Sequence, residues 1–170
     1  HPKDLSDELI DEIARNDKIC KHVHLPLQSG STEVLKAMNR TYSKDDYLKL
    51  VDKIKNKIPD VSLTTDLIIG FPGETEQDNE DTIDVIKKTQ FDQCYIFKYS
   101  KRAGTKAADM PNQVEESIKT ERFNKVLEEI NNSSKNKNAK YIDTIQRVLV
   151  EGPSKTDENK FTGRTDTNKI

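Results

Sequence analysis

The strongest constraint on the fold of this chain is a repeated order of short apolar segments, polar glycine-bearing loops and amphipathic helices. The apolar segments span residues 22–27, 61–69 and 93–99, and each predicts a β-strand. Residues 67–69 are continuously apolar, which is typical of a strand buried on both faces. Strands that alternate with helices form parallel sheets, so the sequence predicts an α/β fold.

Helical spacing of apolar residues predicts helices before and after each strand in the sequence. They span residues 4–16, a short segment through Val34 and Met38, residues 43–58 with Ser43 as N-cap, a helix from the cap Thr75 to about residue 89, and roughly residues 113–131. Three strands are few for a free-standing sheet, whose outer edges would be bare. We therefore predict a partial (β/α) TIM-like barrel, with three parallel strands and their helices, that lacks its first strands.

The composition changes after the last of these helices. Residues 131–138 are polar, which predicts a helix end and a linker. Residues 145–150 and 161–165 predict two strands of a β-rich segment that is too short to close a domain. We expect two domains, with the barrel portion at residues 1–135 and the β-rich portion at residues 136–170.

The bulk composition limits the size of the core and the kinds of partner that we expect. Hydrophobic residues make up 32% of the chain and charged residues 34%, so either the core is narrow or part of it is supplied by sequence not present here. The net charge of −2 gives no general attraction to nucleic acid, and any RNA contact must be local. No membrane span or signal peptide is visible, so we expect a cytoplasmic protein without a membrane partner. The sequence begins at His1 without an initiator methionine, which indicates a piece of a longer protein.

Three polar loops follow the predicted strands at residues 28–31, 70–75 and 99–105. In parallel α/β folds the carboxyl ends of the strands carry the ligand, so the loops predict one shared site. Each loop can also be a simple turn. If the second loop is a site, Gly70 lets a flat ring approach the backbone, and Glu74 holds polar ligand groups or loop amides.

Several polar residues in or beside the strands leave two interpretations open. His22 and His24 share one side of a strand, and packing or hydrogen bonding is favoured over a metal site because no third ligand is near. Thr64, Thr65 and Asp66 are polar residues in a strand that otherwise looks buried, where the carboxylate of Asp66 needs an ion-pair partner or serves a site. Arg102 can bind a carboxylate or phosphate, or can be solvated. Cys20 and Cys94 have no metal-binding spacing, and we expect buried or half-buried thiols.

Together the motifs resemble those of the radical-SAM methylthiotransferases. They are HLPLQSGS at residues 24–31, TDLIIGFPGET at residues 65–75 and YSKRAGT at residues 99–105, in the family's order and spacing. The resemblance covers essentially the whole chain. One departure is Asn79, where the family commonly carries an aromatic residue, which puts the local helix packing in doubt.

The resemblance implies an S-adenosyl-L-methionine cofactor and two 4Fe-4S clusters in the full-length protein. One cluster of the family is held by a C-x3-C-x2-C loop and the other by three cysteines of an N-terminal domain. None of these six cysteines is present here, so we expect no cluster, no metal and no catalytic residue in this chain, and no activity of the 170 residues alone.

The resemblance also implies roles for individual residues. The predicted cofactor-binding residues are Gln28, Ser29, Asp66, Ile69, Gly70, Phe71 and Glu74, and the predicted substrate or RNA-binding residues are Tyr99, Arg102, Arg164, Asn168 and Lys169. The last three lie in a tail that resembles the start of a TRAM domain. This tail is similar to that of one branch of the family, in which the enzyme acts on an isopentenyl-modified adenosine of tRNA. The implied partner is therefore a tRNA anticodon stem-loop.

Three rival functions stay open. The first is the family branch that methylthiolates an aspartate of a ribosomal protein, and the second is a non-catalytic RNA-binding barrel fragment. The third is an aldolase-like barrel enzyme, which would need a strand-end lysine such as Lys98. Because the truncated barrel leaves an open edge, we also expect the chain to dimerise artefactually or to be marginally stable.

Overall fold

A computed structural model describes residues 1–170. After a 3-10 turn at Pro2–Asp4, the elements are α1 (Asp7–Arg15), β1 (His22–His24), α2 (Thr32–Ala37), α3 (Lys44–Lys57), β2 (Ser62–Ile69), α4 (Glu76–Thr89), β3 (Gln93–Lys98), α5 (Lys106–Asp109), α6 (Glu116–Ala139), β4 (Val148–Pro153) and β5 (Phe161–Thr165). The predicted alternation of strands and helices is confirmed.

The three strands β1, β2 and β3 form one parallel sheet in that order. A hydrophobic core of 21 buried residues fills the space between one face of the sheet and the helices. On the other face the side chains of Tyr95 and Phe97 are exposed. An α/β sheet covered on one face only is the architecture of a partial barrel, as predicted, and the uncovered face is the inner one.

The first strand is shorter than predicted, because it is interrupted at Pro26. Proline has no N–H to donate, so the regular ladder ends after His24. The buried hydroxyl of Thr65 bridges the gap: it donates to the Leu25 carbonyl at 2.8 Å and accepts from the Leu27 amide at 2.9 Å. This contact explains why a polar residue lies in the core of β2, and it keeps the chain beside that strand as far as Gln28.

Local capping signals set the starts of helices α3 and α4. Ser43 and Thr75 each accept from the third backbone amide of their helix, and Asp46 and Asp78 complete both capping boxes. Each N-cap predicted from sequence is therefore confirmed. Capping boxes depend on residues three positions apart, which is why the sequence reveals them.

The prediction that the last barrel helix ends near residue 131 is wrong. Helix α6 continues to Ala139 through the whole polar run. Ser133 of this run is buried and donates to the Phe91 carbonyl at 2.9 Å, and Lys137 lies 3.5 Å from the carboxylate of Asp92. These contacts with the loop before β3 stabilise a segment whose composition alone favours a linker. The boundary at residue 135 stays a prediction.

The tail forms an antiparallel pair, β4 and β5, with an irregular register between Val150 and Gly152. The first of the two strands begins three residues later than predicted, at Val148, and the second has the predicted bounds. Both strands expose most of their large apolar side chains. No helix of the protein combines the length and the apolar character needed to cross a membrane.

The side chain of Asn79 is an exception to the pairing of buried polar groups. It is completely buried in α4, and neither amide atom has a hydrogen-bond partner. Replacing Asn79 with leucine, which is close in shape, should raise the free energy of unfolding by about 0.5–2 kcal/mol, because the unpaired amide is lost. Urea denaturation measures this, with Asn132→Leu on an exposed face of α6 as the control. A fall in stability for Asn79→Leu alone would show that a buried partner satisfies the amide.

Candidate functional site

A cleft of about 620 Å³ opens where the three loops leave the carboxyl ends of β1, β2 and β3. It is lined by Gln28, Asp66, Ile68, Phe71, Phe97, Lys98, Tyr99, Ser100, Arg102, Thr105 and Ala107. Five of these are predicted site residues, namely Gln28, Asp66, Phe71, Tyr99 and Arg102. The predicted meeting of the three loops at one site is therefore observed in the geometry, with a size within the usual range of ligand pockets.

The first loop reaches the cleft at Gln28, which has a left-handed conformation with φ of 71°. The backbone amide of Gln28 donates to the backbone carbonyl of Asp66 at 2.8 Å, and its backbone carbonyl accepts from the amide of Ile68 at 2.9 Å. Its neighbour Ser29 is buried, and its hydroxyl accepts from the amide of Ser31. Gln28 therefore lines the cleft, whereas Ser29 shapes the turn behind it.

The third loop contributes an aromatic wall with one unpaired polar atom. The rings of Tyr99 and Phe71 meet edge to face, with centroids 5.3 Å apart. The Tyr99 hydroxyl is buried and has no hydrogen-bond partner. Arg102 is exposed at the rim and makes no ion pair. The unpaired hydroxyl of Tyr99 and the unpaired guanidinium of Arg102 can each bind a polar ligand group.

The second loop is organised from behind by Glu74. Its carboxylate accepts from the Gly70 amide at 3.0 Å and faces Arg122 of α6 at 3.3 Å. Burial raises the pKa of Glu74, while the Gly70 amide and Arg122 oppose that rise. The carboxylate faces the loop and the helix and does not line the cleft, which matches the interpretation of Glu74 as a holder of loop amides.

Gly70 has a different role from the one that the sequence indicates. Its φ is +77°, and a Cβ there would lie 2.3 Å from Cγ of Lys119. The space left by the missing side chain is therefore occupied by α6 and does not admit a flat ligand ring. Lys119 also donates to the Tyr99 carbonyl at 3.2 Å, so one lysine supports the second and third loops together.

The alternation of β2 decides which of its residues face the cleft. Ile69 is buried in the core between sheet and helices, so its side chain is not brought to the site. Ile68 and Phe97 line the cleft and are not among the site residues that were predicted individually. Ile68 lies two residues after Asp66 in β2, and Phe97 lies two residues after Tyr95, the strand partner of Asp66, in β3. Side chains two residues apart lie on the same face of a strand, so this spacing could have revealed both residues.

The two histidines of β1 make hydrogen bonds to the same hydroxyl. His22 and His24 each lie 3.0 Å from the hydroxyl of Thr64, and His24 lies 3.3 Å from Asp66. The structure contains no group of three His, Cys, Asp or Glu side chains that could hold a metal ion. The predicted hydrogen bonding of the histidines is observed, and Asp66 has both a hydrogen-bond partner in His24 and a place in the cleft.

The predicted RNA-binding residues of the tail lie at the opposite, amino end of the strands. Arg164 pairs with Glu151 at 3.0 Å and donates to Asn168 at 3.1 Å. Lys169 pairs at 2.7 Å with Asp92, whose carboxylate is buried. These residues help to line a separate cavity of about 780 Å³. The structure therefore does not bring them together with Tyr99 and Arg102.

The two cysteines differ in their surroundings. Cys20 is exposed, so the expectation that both thiols are buried or half-buried is wrong for this residue, and Cys94 is half-buried in β3. Burial raises the pKa of Cys94 to about 12. Metal clusters need thiolates, so this thiol is a poor ligand.

A family model described as the radical SAM superfamily matches residues 2–86, which is half of the chain. The match begins at the first turn, includes β1 and β2, and ends within α4. It therefore covers the first two of the three cleft-forming loops.

Curated bacterial proteins are similar to the chain over its whole length. The protein of Alkaliphilus oremlandii is 55% identical, that of Fusobacterium nucleatum 57% and that of Clostridium tetani 53%. Each covers 100% of the chain and carries the name tRNA-2-methylthio-N(6)-dimethylallyladenosine synthase. The chain spans 36%, 39% and 38% of their respective lengths.

Proposed function

Because this chain belongs to the radical SAM superfamily, we propose that it forms the cofactor-supporting half of a tRNA methylthiotransferase. The complete enzyme adds a methylthio group to C2 of N6-isopentenyladenosine next to the anticodon. The observation that carries the proposal is the single cleft formed by the three motif loops, in a chain similar from end to end to proteins named for this product. Inactivity of the 170 residues alone stays part of the proposal.

The residues of the cleft fit S-adenosyl-L-methionine. The aromatic rings of Phe71 and Tyr99 offer an apolar wall for a base, and the unpaired Tyr99 hydroxyl offers a polar contact. Gln28 and Asp66 provide acceptors for ribose hydroxyls or an ammonium group. Tyr99 and Arg102, which the resemblance assigned to the substrate side, line the same cleft, where Arg102 provides a donor for the carboxylate of the cofactor. When bound and reductively cleaved, this cofactor supplies the 5′-deoxyadenosyl radical. Glu74 and Gly70 support the loop.

The residues of this chain do not fit an iron–sulfur cluster. The exposed Cys20 and the half-buried Cys94 are single thiols outside any cluster motif. We propose that the two 4Fe-4S clusters of the complete enzyme are held by other parts of it. The chain contributes the wall of the cofactor pocket and the alignment of its loops.

We propose the anticodon stem-loop of tRNA as the partner, with contacts from Arg164, Asn168 and Lys169 through a TRAM domain that begins in the tail. The side chains of Arg164 and Asn168 are at least partly accessible, which supports direct contact. Lys169 would first have to leave the buried Asp92. The exposed Tyr95 and Phe97 on the open face support artefactual dimerisation of the isolated chain.

The assay that tests the proposed function uses the complete, cluster-loaded protein. It is incubated with S-adenosylmethionine and with isopentenylated or unmodified anticodon stem-loops, and mass spectrometry follows the methylthio group. Methylthiolation of the isopentenylated stem-loop alone is the expected result. Modification of a ribosomal-protein aspartate instead, or binding of RNA without modification, would contradict it.

Replacing Tyr99 with phenylalanine tests the cofactor pocket. The variant should bind S-adenosylmethionine about 3–10-fold more weakly, because it loses one hydrogen bond to the ligand. The free energy of unfolding should not fall, because the hydroxyl has no partner within the chain. Equilibrium dialysis with the complete protein measures the affinity. Tyr141→Phe, at the opposite end of the strands, is the matched control and should bind normally. Equal affinities for all three proteins would exclude the Tyr99 hydroxyl from the pocket.

A further inference from the structure

A single hydroxyl on the inner face of the sheet lies between two imidazole rings. The Oγ1 atom of Thr64 is 3.0 Å from Nε2 of His22 and 3.0 Å from Nδ1 of His24. The other nitrogen of His24, Nε2, is 3.3 Å from a carboxylate oxygen of Asp66. Thr64 is buried, and Asp66 lines the cleft. The four side chains therefore form a continuous row of hydrogen bonds that ends in the candidate site.

The number of hydrogens in this row determines its direction. A hydroxyl has one hydrogen to donate, so Thr64 can donate to only one of the two histidines, and the other must donate to it. An ionised carboxylate only accepts, so Nε2 of His24 carries a hydrogen for Asp66. In a neutral ring the Nδ1 atom of His24 is then the acceptor, and it receives the hydrogen of Thr64.

The same argument determines the state of His22. Because Thr64 donates to His24, the Nε2 atom of His22 must carry a hydrogen and donate to Oγ1. Burial lowers the pKa of His22, which favours this neutral form. The charged groups that face the row are Asp66 from β2, Asp92 from the loop before β3, and Lys169 from the tail.

We propose that Thr64 is a positioning residue that holds His24 as a hydrogen-bond donor to Asp66 and so aims this carboxylate into the cleft. The oriented carboxylate accepts from a hydroxyl or ammonium group of the ligand. That last step rests on the proposed function, in which the ligand is S-adenosylmethionine. The hydrogen-bond direction itself does not depend on any ligand.

The direction is tested by long-range ¹H–¹⁵N spectra of the histidine rings in the ¹⁵N-labelled 170-residue chain, near neutral pH. Protonated and unprotonated ring nitrogens give well-separated ¹⁵N resonances, and the chain has only three histidines to assign. His22 and His24 should each carry the hydrogen on Nε2. In Thr64→Val both rings should shift toward mixed tautomers, and Thr64→Ser should restore the original pattern. His1 packs against Tyr42 and serves as the internal control.

A hydrogen on Nδ1 of His24 in the unaltered chain, or tautomers that Thr64→Val leaves unchanged, would overturn the proposal. If Thr64→Val does not fold, the spectrum of the unaltered chain still shows which ring nitrogen of each histidine carries the hydrogen. In the complete protein, Thr64→Val should weaken S-adenosylmethionine binding about 3–10-fold and Thr64→Ser should not. If the unaltered complete protein fails to bind this cofactor, the proposed function is wrong while the assignment of the row can still hold.

Discussion

Replacing Arg122 with methionine should lower the free energy of unfolding by about 3–5 kcal/mol, because it leaves a buried carboxylate without its cation. Arg122 of α6 donates to the Glu74 carbonyl at 2.8 Å and lies 3.3 Å from its carboxylate. Its Nε also contacts Glu76 at 3.2 Å. The carboxylate of Glu74 is almost inaccessible to solvent, so water cannot replace the lost partner.

The loss of stability caused by Arg122→Met should be smaller at acidic pH. Burial raises the pKa of Glu74 in the folded protein, so between its unfolded and folded pKa values the folded state binds the extra proton. Stability from this group therefore falls as pH rises through that window. Without Arg122 the folded pKa rises further and the window widens. The difference between Arg122→Met and the unaltered protein should thus shrink as pH is lowered from about 8 to about 5.

The matched control for this experiment is Lys125→Met in the same helix. Lys125 pairs with Glu76 at 2.6 Å and with Glu121 at 3.1 Å, at exposed positions. Removal of such surface pairs should change the free energy of unfolding much less than removal of Arg122, because water replaces the lost partner. Urea denaturation of both variants over this pH range measures the difference. Equal losses, or a pH-independent loss for Arg122→Met, would show that Glu74 does not depend on Arg122.

Replacing Gly70 with alanine should lower the free energy of unfolding by about 2–5 kcal/mol, through two separate effects. A left-handed φ costs a residue with a Cβ about 1–2 kcal/mol. The new methyl group also collides with Lys119, and overpacking costs about 1–3 kcal/mol. Moving Lys119 away would break its contact with the Tyr99 carbonyl, so the aromatic wall of the cleft should also be disturbed.

Two control variants separate these effects. Gly73 has a similar φ of +83°, and a Cβ added there would have no other atom within 4 Å, so Gly73→Ala should show the backbone strain alone. In a Lys119→Ala background the collision at Gly70 is relieved, so Gly70→Ala should then cost no more than Gly73→Ala. Denaturation of the single and double variants measures both costs. An unchanged cost of Gly70→Ala in the Lys119→Ala background would exclude the collision.

Much of the fold could be predicted from the sequence because its signals are local. The bounds of β2 and α4 were predicted to within one residue, since a run of apolar residues and a capping box depend on neighbours only a few positions apart. The convergence of the three loops was also predicted, because the carboxyl ends of parallel strands share one edge of a sheet.

The candidate site could be predicted only in part. The sequence indicated Gln28, Asp66 and Tyr99, which the structure brings to the cleft, but it did not indicate Arg122 or Lys119. Both come from α6, which is far along the chain and carries no motif. Their roles depend on which turn of that helix faces the loops.

The sequence by itself determined the alternation of strands and helices, the caps of α3 and α4, and the edge of the sheet where the motifs meet. Only the tertiary structure decided that α6 continues through a polar run, that Gly70 makes room for Lys119, and that the tail residue Lys169 binds Asp92 at the other end of the strands. The reason is physical. Local signals act between neighbours in the chain, whereas burial, close approach and ion pairing depend on groups that folding brings together from distant positions.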